Sequence, residues 1–333
     1  MADLVIATDE GLYCPAGDFH IDPVRKVARA VITHAHADHA RPGMGHYWAA
    51  KPGEGLMRAR LGRHSVMTLL GYGERITLGS ATVSLHPAGH VLGSAQVRIA
   101  VDGEVWVVSG DYKRCPDPSC AAFEPVPCDT FITETTFANP AYQWDAPTLV
   151  AREIFDWWQQ CKADGKAAVL FCYALGKAQR VLAELTQFFD ADSLARGEVE
   201  PVLLHGAMTP LVEVYRKAGI RMMPTAAVGT PPRSAVFAGR LVLAPPGASG
   251  TPWMRRFAPC STGFASGWMR LDSRRRAAYD RGFTLSDHSD WPGLIRSIEE
   301  TGAKRVLTMH GDSTTLIAHL KAGGIDARPI EAA

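Results

Sequence analysis

The clearest chemical signal in the sequence is a run of metal-binding side chains near its start. Within six consecutive positions, directly after the apolar residues 30–32, lie His34, His36, Asp38 and His39. On a strand that ends in a loop, the two alternating histidines project to one side, while the following turn directs the other two side chains toward a second metal. A helix cannot do this, because residues two apart lie on opposite flanks.

The ligand types indicate which metal and which reaction to expect. Imidazole with a few carboxylates suits zinc best among the common metals. Nitrogen and oxygen ligands shared between two metals are typical of hydrolases that act on phosphate esters. Four such side chains in six positions are not what a core or a solvated loop contains by chance, so we interpret the motif as a metal site.

Two kinds of secondary-structure pattern must position these residues. Short β-like runs fill the first part of the chain, at residues 4–7, 30–33, 81–85, 96–100, 105–109 and 130–133. From residue 147 the pattern changes to an α/β alternation, with helices over 147–163, 176–189 and 209–218 and strands over 167–171 and 202–204. After a Pro/Gly-rich stretch at 244–252, we predict a helix at 291–301, a strand at 305–308 and a helix at 314–321.

Candidate functional residues in the last part of the chain, His288 and His310, are described below and belong to the same site as the motif at residues 34–39. The middle block is therefore predicted to be an insertion. We expect one domain in two parts, residues 1–145 and 266–333, and an inserted domain over residues 146–265.

Composition bounds the class of protein. A chain of 333 residues that is 47% hydrophobic is long enough for one large core or two domains. The N-terminal segment has no basic region followed by an apolar one, and no 18 apolar residues run together, so we expect a cytoplasmic protein with no membrane contact. Seven scattered cysteines without a C-x-x-C pair indicate neither a disulfide framework nor a zinc knuckle.

Any nucleic-acid binding must rest on local charge, because the formal net charge is only +1. One stretch supplies positive charge between Trp253 and Arg281, with Asp272 and Asp280 as its only acids. Its arginines are Arg255, Arg256, Arg270, Arg274, Arg275, Arg276 and Arg281. A solvated helix face is the alternative interpretation.

Further motifs lie on both sides of this one, and only the motif that contains Asp22 precedes it. They contain Asp22 in FHID, His90 in GHVLG, Asp111 in SGDY, Glu134 in ITETTF, His288 in SDHSD and His310 in LTMHG. Each alone could be a turn or a strand end. Together with H-x-H-x-D-H after a strand, they resemble the metallo-β-lactamase superfamily and, within it, the β-CASP group of nucleases.

The resemblance implies a fold and a metal centre. The fold is a metallo-β-lactamase αββα sandwich with an inserted small α/β β-CASP cap domain. Two Zn²⁺ ions are expected, with Mn²⁺ as the alternative. The first would be bound by His34, His36, His90 and Asp111, and the second by Asp38, His39, His310 and the bridging Asp111. Asp22 would orient the ligand histidines.

The resemblance also implies catalytic roles. Two ions bridged by Asp111, with Asp38 among their ligands, would activate a water molecule for attack on a phosphodiester. His288, held by Glu134, would donate a proton to the departing sugar oxygen. Alternatively, the segment 286–288 only caps the helix that begins near Trp291.

Within the β-CASP group the sequence is similar to the bacterial ligase-associated DNA exonuclease family. This implies a monomeric 5′-to-3′ DNA exonuclease acting in repair, associated with an ATP-dependent DNA ligase and a helicase. Lys113 and Arg114, which follow the SGDY motif of Asp111, would hold the phosphate backbone together with the arginines after Trp253.

Other functions remain open. His310 and the ALGKAQ segment at residues 174–179 resemble RNA-processing members, so an exo- or endoribonuclease is the main alternative. A small-molecule hydrolase of the same fold has no use for a cap domain. A non-catalytic protein that binds DNA ends is a further alternative. Such a protein could lose the metal-ligand positions without penalty, whereas all of them are intact in this sequence.

Overall fold

The computed structural model describes residues 3–229 and 237–330. Contacts divide the chain into two compact units, each with a hydrophobic core. The first takes in the chain up to Cys115, Cys120–Gln143 and the chain from His288 onward. The second consists of Pro116–Ser119 and Trp144–Asp287.

Strands and helices follow one another along both units. Before Gln143 they are β1 (Ile6–Thr8), β2 (Gly11–Cys14), β3 (Phe19–Ile21), β4 (Arg29–Val31), β5 (His46–Ala50), α1 (Glu54–Leu61), β6 (Met67–Leu70), β7 (Arg75–Leu78), β8 (Ala81–Pro87), β9 (Ala95–Val101), β10 (Glu104–Val108) and β11 (Thr130–Glu134). Up to Asp287 they are α2 (Pro147–Ala163), β12 (Ala167–Phe171), α3 (Lys177–Glu184), α4 (Ala191–Ala195), β13 (Val202–Leu204), α5 (Thr209–Lys217), β14 (Thr225–Ala227), β15 (Leu241–Ala244), β16 (Cys260–Ala265), α6 (Ser273–Ala277) and β17 (Arg281–Phe283). The remainder are α7 (Trp291–Thr301), β18 (Arg305–Met309), α8 (Thr314–Ala322) and β19 (Asp326–Pro329).

Two sheets pack face to face in the first unit. Their strand orders are β1-β2-β3-β4-β5-β6 and β19-β18-β11-β10-β9-β8-β7. Side chains of both sheets, such as Phe19 and Val83, share one buried cluster. On the other face of the second sheet, Leu294 of α7 and Leu316 of α8 pack with Phe131 of β11. Alternating side chains let one sheet serve both cores. The mixed α/β architecture with several sheets agrees with the prediction.

The second unit is built around a parallel sheet of order β14-β13-β15-β12-β16-β17. Strands β12 and β13 are buried throughout. A parallel sheet covered on both faces needs such continuous apolar runs, which is why these strands could be predicted. The expected end of the insertion at residue 265 falls inside this unit. The unit continues to Asp287, because β17 pairs with β16.

Local predictions succeed for some elements and fail for others. The predicted ends of α2, β12, β13 and α7 match the structure. Strands β2, β3 and β5–β7 were missed, because each has only three to five residues and none of their sequences is a continuous apolar run. Among the described helices, none is long and apolar enough to cross a membrane.

Candidate metal centre

Strand direction brings the predicted ligands of the second sheet to one edge. Strand β8 is antiparallel to β9, β9 is antiparallel to β10, and β10, β11 and β18 are mutually parallel. The C-terminal ends of β8, β10, β11 and β18 therefore lie at the same edge. These ends lead to His90, Asp111, Glu134 and His310.

Four donor atoms form the first cluster. His36 Nδ1 lies 3.0 Å from His34 Nε2 and 3.1 Å from His90 Nε2. Asp111 Oδ2 lies 3.5 Å from His34 Nε2 and 3.7 Å from His90 Nε2. A tetrahedral zinc ion bound at about 2.0–2.1 Å separates its ligands by roughly 3.4 Å. The spacing of these four donors therefore fits one such ion.

A second set of donors shares an oxygen with the first. Asp111 Oδ2 lies 3.4 Å from His39 Nε2, which is 3.6 Å from Asp38 Oδ2. The His310 ring centroid lies 5.6 Å from that of His39. One carboxylate oxygen thus contacts donors of both predicted metal sites, as a bridging ligand would.

Asp22 holds the second set from behind. Its Oδ2 lies 2.8 Å from His39 Nδ1 and accepts a 2.5 Å hydrogen bond from the Thr33 hydroxyl. With Nδ1 engaged, His39 presents Nε2 to Asp111. Thr33 was not singled out from the sequence, although its place directly before His34 is the available signal.

A glycine allows two of the motifs to meet. Gly110 has a φ of +56°, and a Cβ there would lie 2.7 Å from Thr33 Cβ. Any larger residue would push the loop that carries Asp111 away from the loop that carries His34. The SGD motif therefore needs its glycine for close approach.

Electrostatics favour the metal-binding forms of His34 and Asp111, but not that of His39. Burial lowers the pKa of His34 well below its usual value, and His39 lowers it further. Burial opposes ionisation of Asp111, but His39 and His34 hold its pKa well below the usual range. For His39, burial lowers the pKa, yet Asp22 and Asp111 together raise it well above its usual value. A neutral His34 and a charged Asp111 are the forms that bind a divalent cation.

Glu134 and His288 form a pair beside Asp111. His288 Nδ1 lies 2.9 Å from both carboxylate oxygens of Glu134. Oε1 also accepts a hydrogen bond from the Tyr112 backbone N–H at 2.9 Å, and Oε2 accepts one from the Thr136 hydroxyl at 2.5 Å. Thr136 was missed in the sequence, where its position two residues after Glu134 was the available signal.

The cap of α7 does not involve His288. Asp290 is the N-cap residue, and its side chain accepts a hydrogen bond from the Gly293 N–H. The alternative interpretation, in which residues 286–288 only cap this helix, is therefore wrong.

Two basic residues expected on the nucleic-acid strand are used elsewhere. Lys113 is 1% exposed, and its Nζ lies 3.4 Å from the His90 carbonyl oxygen. Arg114 pairs with Glu300 at 2.6 Å and donates to the Ser297 hydroxyl. A buried ammonium and an ion-paired guanidinium have little charge left for a phosphate, so neither residue fits the expected role.

The arginines between Trp253 and Arg281 lie at the surface of the second unit. Arg270 lies 3.4 Å from Asp145, and Arg275 lies 3.0 Å from Asp272. The exposed members are Arg255, Arg256, Arg274, Arg275, Arg276 and Arg281. Their contact with a strand stays a prediction.

Comparison with known proteins identifies relatives of this chain. No family model matches the chain. A "Probable DNA ligase" of Opitutus terrae is 32% identical over 321 residues, which is 95% of this chain but 30% of that protein. "Ribonuclease TTHA0252" of Thermus thermophilus is 28% identical over 195 residues, covering 49% of this chain and 44% of that protein. The chain thus spans less than half the length of either relative.

One solved structure supports the fold alone. The crystal structure of a protein of unknown function from Enterococcus faecalis V583 aligns with a TM-score of 0.58 at 13% identity, covering 91% of this chain and 79% of that one. Two face-to-face sheets with a histidine-rich cluster at one edge are the features of a metallo-β-lactamase-type protein. The chain belongs to the β-CASP branch of the metallo-β-lactamase family. Membership implies that it binds divalent metal ions.

Proposed function

We propose that this protein is a metal-dependent phosphodiesterase that cuts nucleic acid, with DNA as its substrate. One observation carries the proposal. Asp111 Oδ2 lies 3.5 and 3.7 Å from donors of one predicted site and 3.4 Å from a donor of the other. An oxygen shared in this way is suited to two ions that act on one phosphodiester.

The donor sets fit two divalent cations, with zinc as the expected metal and manganese as the alternative. Such a pair supplies a nucleophilic water at neutral pH and neutralises charge on the phosphate. The first ion would use His34, His36, His90 and Asp111. The second would use Asp38, His39, His310 and Asp111.

His288 holds the proton that the departing sugar oxygen needs. Its Nδ1 faces the Glu134 carboxylate, so Nε2 is the atom that donates the proton. Donors from Tyr112 and Thr136 keep both carboxylate oxygens engaged. The carboxylate is thereby held in the orientation that fixes the imidazole ring.

The second unit would act as the β-CASP cap. Its position in the sequence, between the motifs of Glu134 and His288, agrees with an insertion. The exposed arginines from Arg255 to Arg281 would contact phosphates of the bound strand. Such contacts do not depend on the base sequence of the strand. Reversing charge at Arg274–Arg276 should weaken binding and its salt dependence.

DNA is favoured by the similarity to a DNA ligase chain. Nearly the whole protein corresponds to 30% of that relative. A 5′-to-3′ exonuclease that prepares DNA ends, working with an ATP-dependent ligase and a helicase, fits this relationship.

RNA cleavage is the second candidate. His310 and the ALGKAQ segment support it, as does the similarity to a protein named as a ribonuclease. The deciding experiment incubates purified protein with end-labelled DNA and RNA of one sequence. Each is tested with and without a 5′ phosphate and with a chelator. Chelator-sensitive shortening of DNA is expected, and a preference for RNA would favour the second candidate.

The role of His288 is tested with two leaving groups. His288→Ala should slow DNA cleavage by roughly 10²- to 10⁴-fold but spare bis-p-nitrophenyl phosphate, because a phenolate leaves without a proton. Glu134→Gln should reproduce part of the loss. Equal losses on both substrates, or loss of metal, would show that His288 is a ligand or scaffold residue.

A further inference from the structure

Helix α1 contacts two of the three loops that carry the proposed ligands of the first metal. At its start, Gly53 packs so closely on Gly93 that a Cβ on Gly93 would lie 2.1 Å from the Gly53 Cα. At its end, Arg60 Nε donates to the carbonyl oxygen of Ala35 at 3.3 Å. Gly93 belongs to the loop of His90, and Ala35 lies within the H-x-H-x-D-H loop. The Arg60 guanidinium is thereby held beside the metal centre.

Arg41 is anchored to the same H-x-H-x-D-H loop. Its Nε donates to the Asp38 carbonyl oxygen at 3.3 Å, and its Nη1 donates to the Val24 carbonyl oxygen at 3.2 Å. Each arginine is thus fixed by backbone oxygens, which orient a guanidinium without neutralising it. Fixing the side chain in advance reduces the entropy lost when it binds a ligand.

The positive charge of residues 41–64 is only partly compensated. Residues 41–64 contain five basic side chains but Glu54 as their one acid. Glu54 pairs with Arg58 at 3.5 Å. In the part of the chain that the structure describes, no carboxylate lies within ion-pair distance of Arg41 or Arg60. Arg60 is exposed and Arg41 half-buried, so both can be reached from solvent.

We propose that Arg41 and Arg60 bind backbone phosphates of the nucleic-acid strand on either side of the bond that is cut. The planar guanidinium, with several N–H donors, matches the oxygens of a phosphate. The metal-bearing unit would then hold the strand itself, in the role expected of Lys113 and Arg114. This inference rests on the proposed function.

The test compares a strand with a small substrate that cannot reach both arginines. Arg41→Gln and Arg60→Gln should each raise the KM for a labelled oligonucleotide by about tenfold, as expected for a charged hydrogen bond. Each should also reduce the salt slope of log kcat/KM by about 0.7–0.9. The kcat/KM for bis-p-nitrophenyl phosphate should stay within about twofold.

Two further variants control for charge and scaffold effects. Lys304 is exposed and precedes β18 at the end opposite His310, so Lys304→Gln removes a charge remote from the centre and should leave the slope unchanged. Arg60→Lys keeps the charge and should retain most of the slope. Equal losses on both substrates would make Arg60 a support of the loop and overturn the inference.

The inference and the proposed function fail in different ways. A wild-type protein that cuts aryl phosphodiesters but neither DNA nor RNA would overturn both. Wild-type cleavage of strands together with unchanged KM and salt slope in both glutamine variants would overturn only the role of Arg41 and Arg60.

Discussion

The two proposed metal sites share an oxygen but differ in burial. In the first, His34 and His90 are 2% and 1% exposed, and all four donors lie within 4.8 Å of one another. In the second, the Asp38 side chain is 75% exposed, and His310 follows the end of β18 with a φ of +53°. Packing has built the first site, whereas the second still needs its outer ligands to be ordered.

This difference predicts unequal binding of the two ions. Ordering an exposed side chain costs conformational entropy that a packed side chain has already lost. The first site should therefore bind its ion more tightly. The first ion would also join three separate loops, which follow β4, β8 and β10.

The most damaging substitution should be Asp111→Ala, because it removes the oxygen that both sites share. We expect loss of both ions and a fall in phosphodiesterase rate of about 10³-fold or more, since metal ions supply several kcal/mol of charge stabilisation. Elemental analysis after dialysis, with the rate on bis-p-nitrophenyl phosphate, measures both effects. Two retained equivalents of metal would remove the basis for a shared ligand.

Asp22→Asn should separate the sites. Asp22 contacts His39, and loss of such a supporting carboxylate typically weakens metal affinity by about 10- to 100-fold. We expect this loss at the second site, with the first ion retained. Asp9→Asn is the matched control, because Asp9 is exposed and pairs with Arg25. Equal loss of both ions would mean that Asp22 supports the centre as a whole.

The smallest expected effect is a difference in affinity between the two metal sites, which a chelator titration of the wild-type protein would measure. The two ions should be removed at chelator concentrations that differ by at least about tenfold, which corresponds to a difference in binding free energy of about 1.4 kcal/mol. Asp38→Ala should keep only the ion that is removed at the higher chelator concentration. His90→Ala should lose that ion. Release of both ions together in the wild type would contradict unequal sites.

Much of the candidate site could be predicted from local sequence. His34, His36, Asp38 and His39 lie on one strand exit, so their spacing alone indicates a metal motif. The helices α2 and α7 and the buried strands β12 and β13 were also accessible, because their apolar patterns depend only on nearby residues. The remaining motifs could be assigned to the site because they resemble those of one family and occur in the same order along the chain.

Other features depend on contacts between distant residues, and only the tertiary structure decided them. Asp111 Oδ2 reaches both donor sets because β10 ends beside the loop after β4, a closeness that Gly110 permits. Lys113 is charged in sequence but buried in the fold. Arg60 belongs to none of the sequence motifs, yet it is held beside Ala35 because α1 packs against two loops. Such placements arise from packing between segments far apart in the chain, which no local pattern encodes.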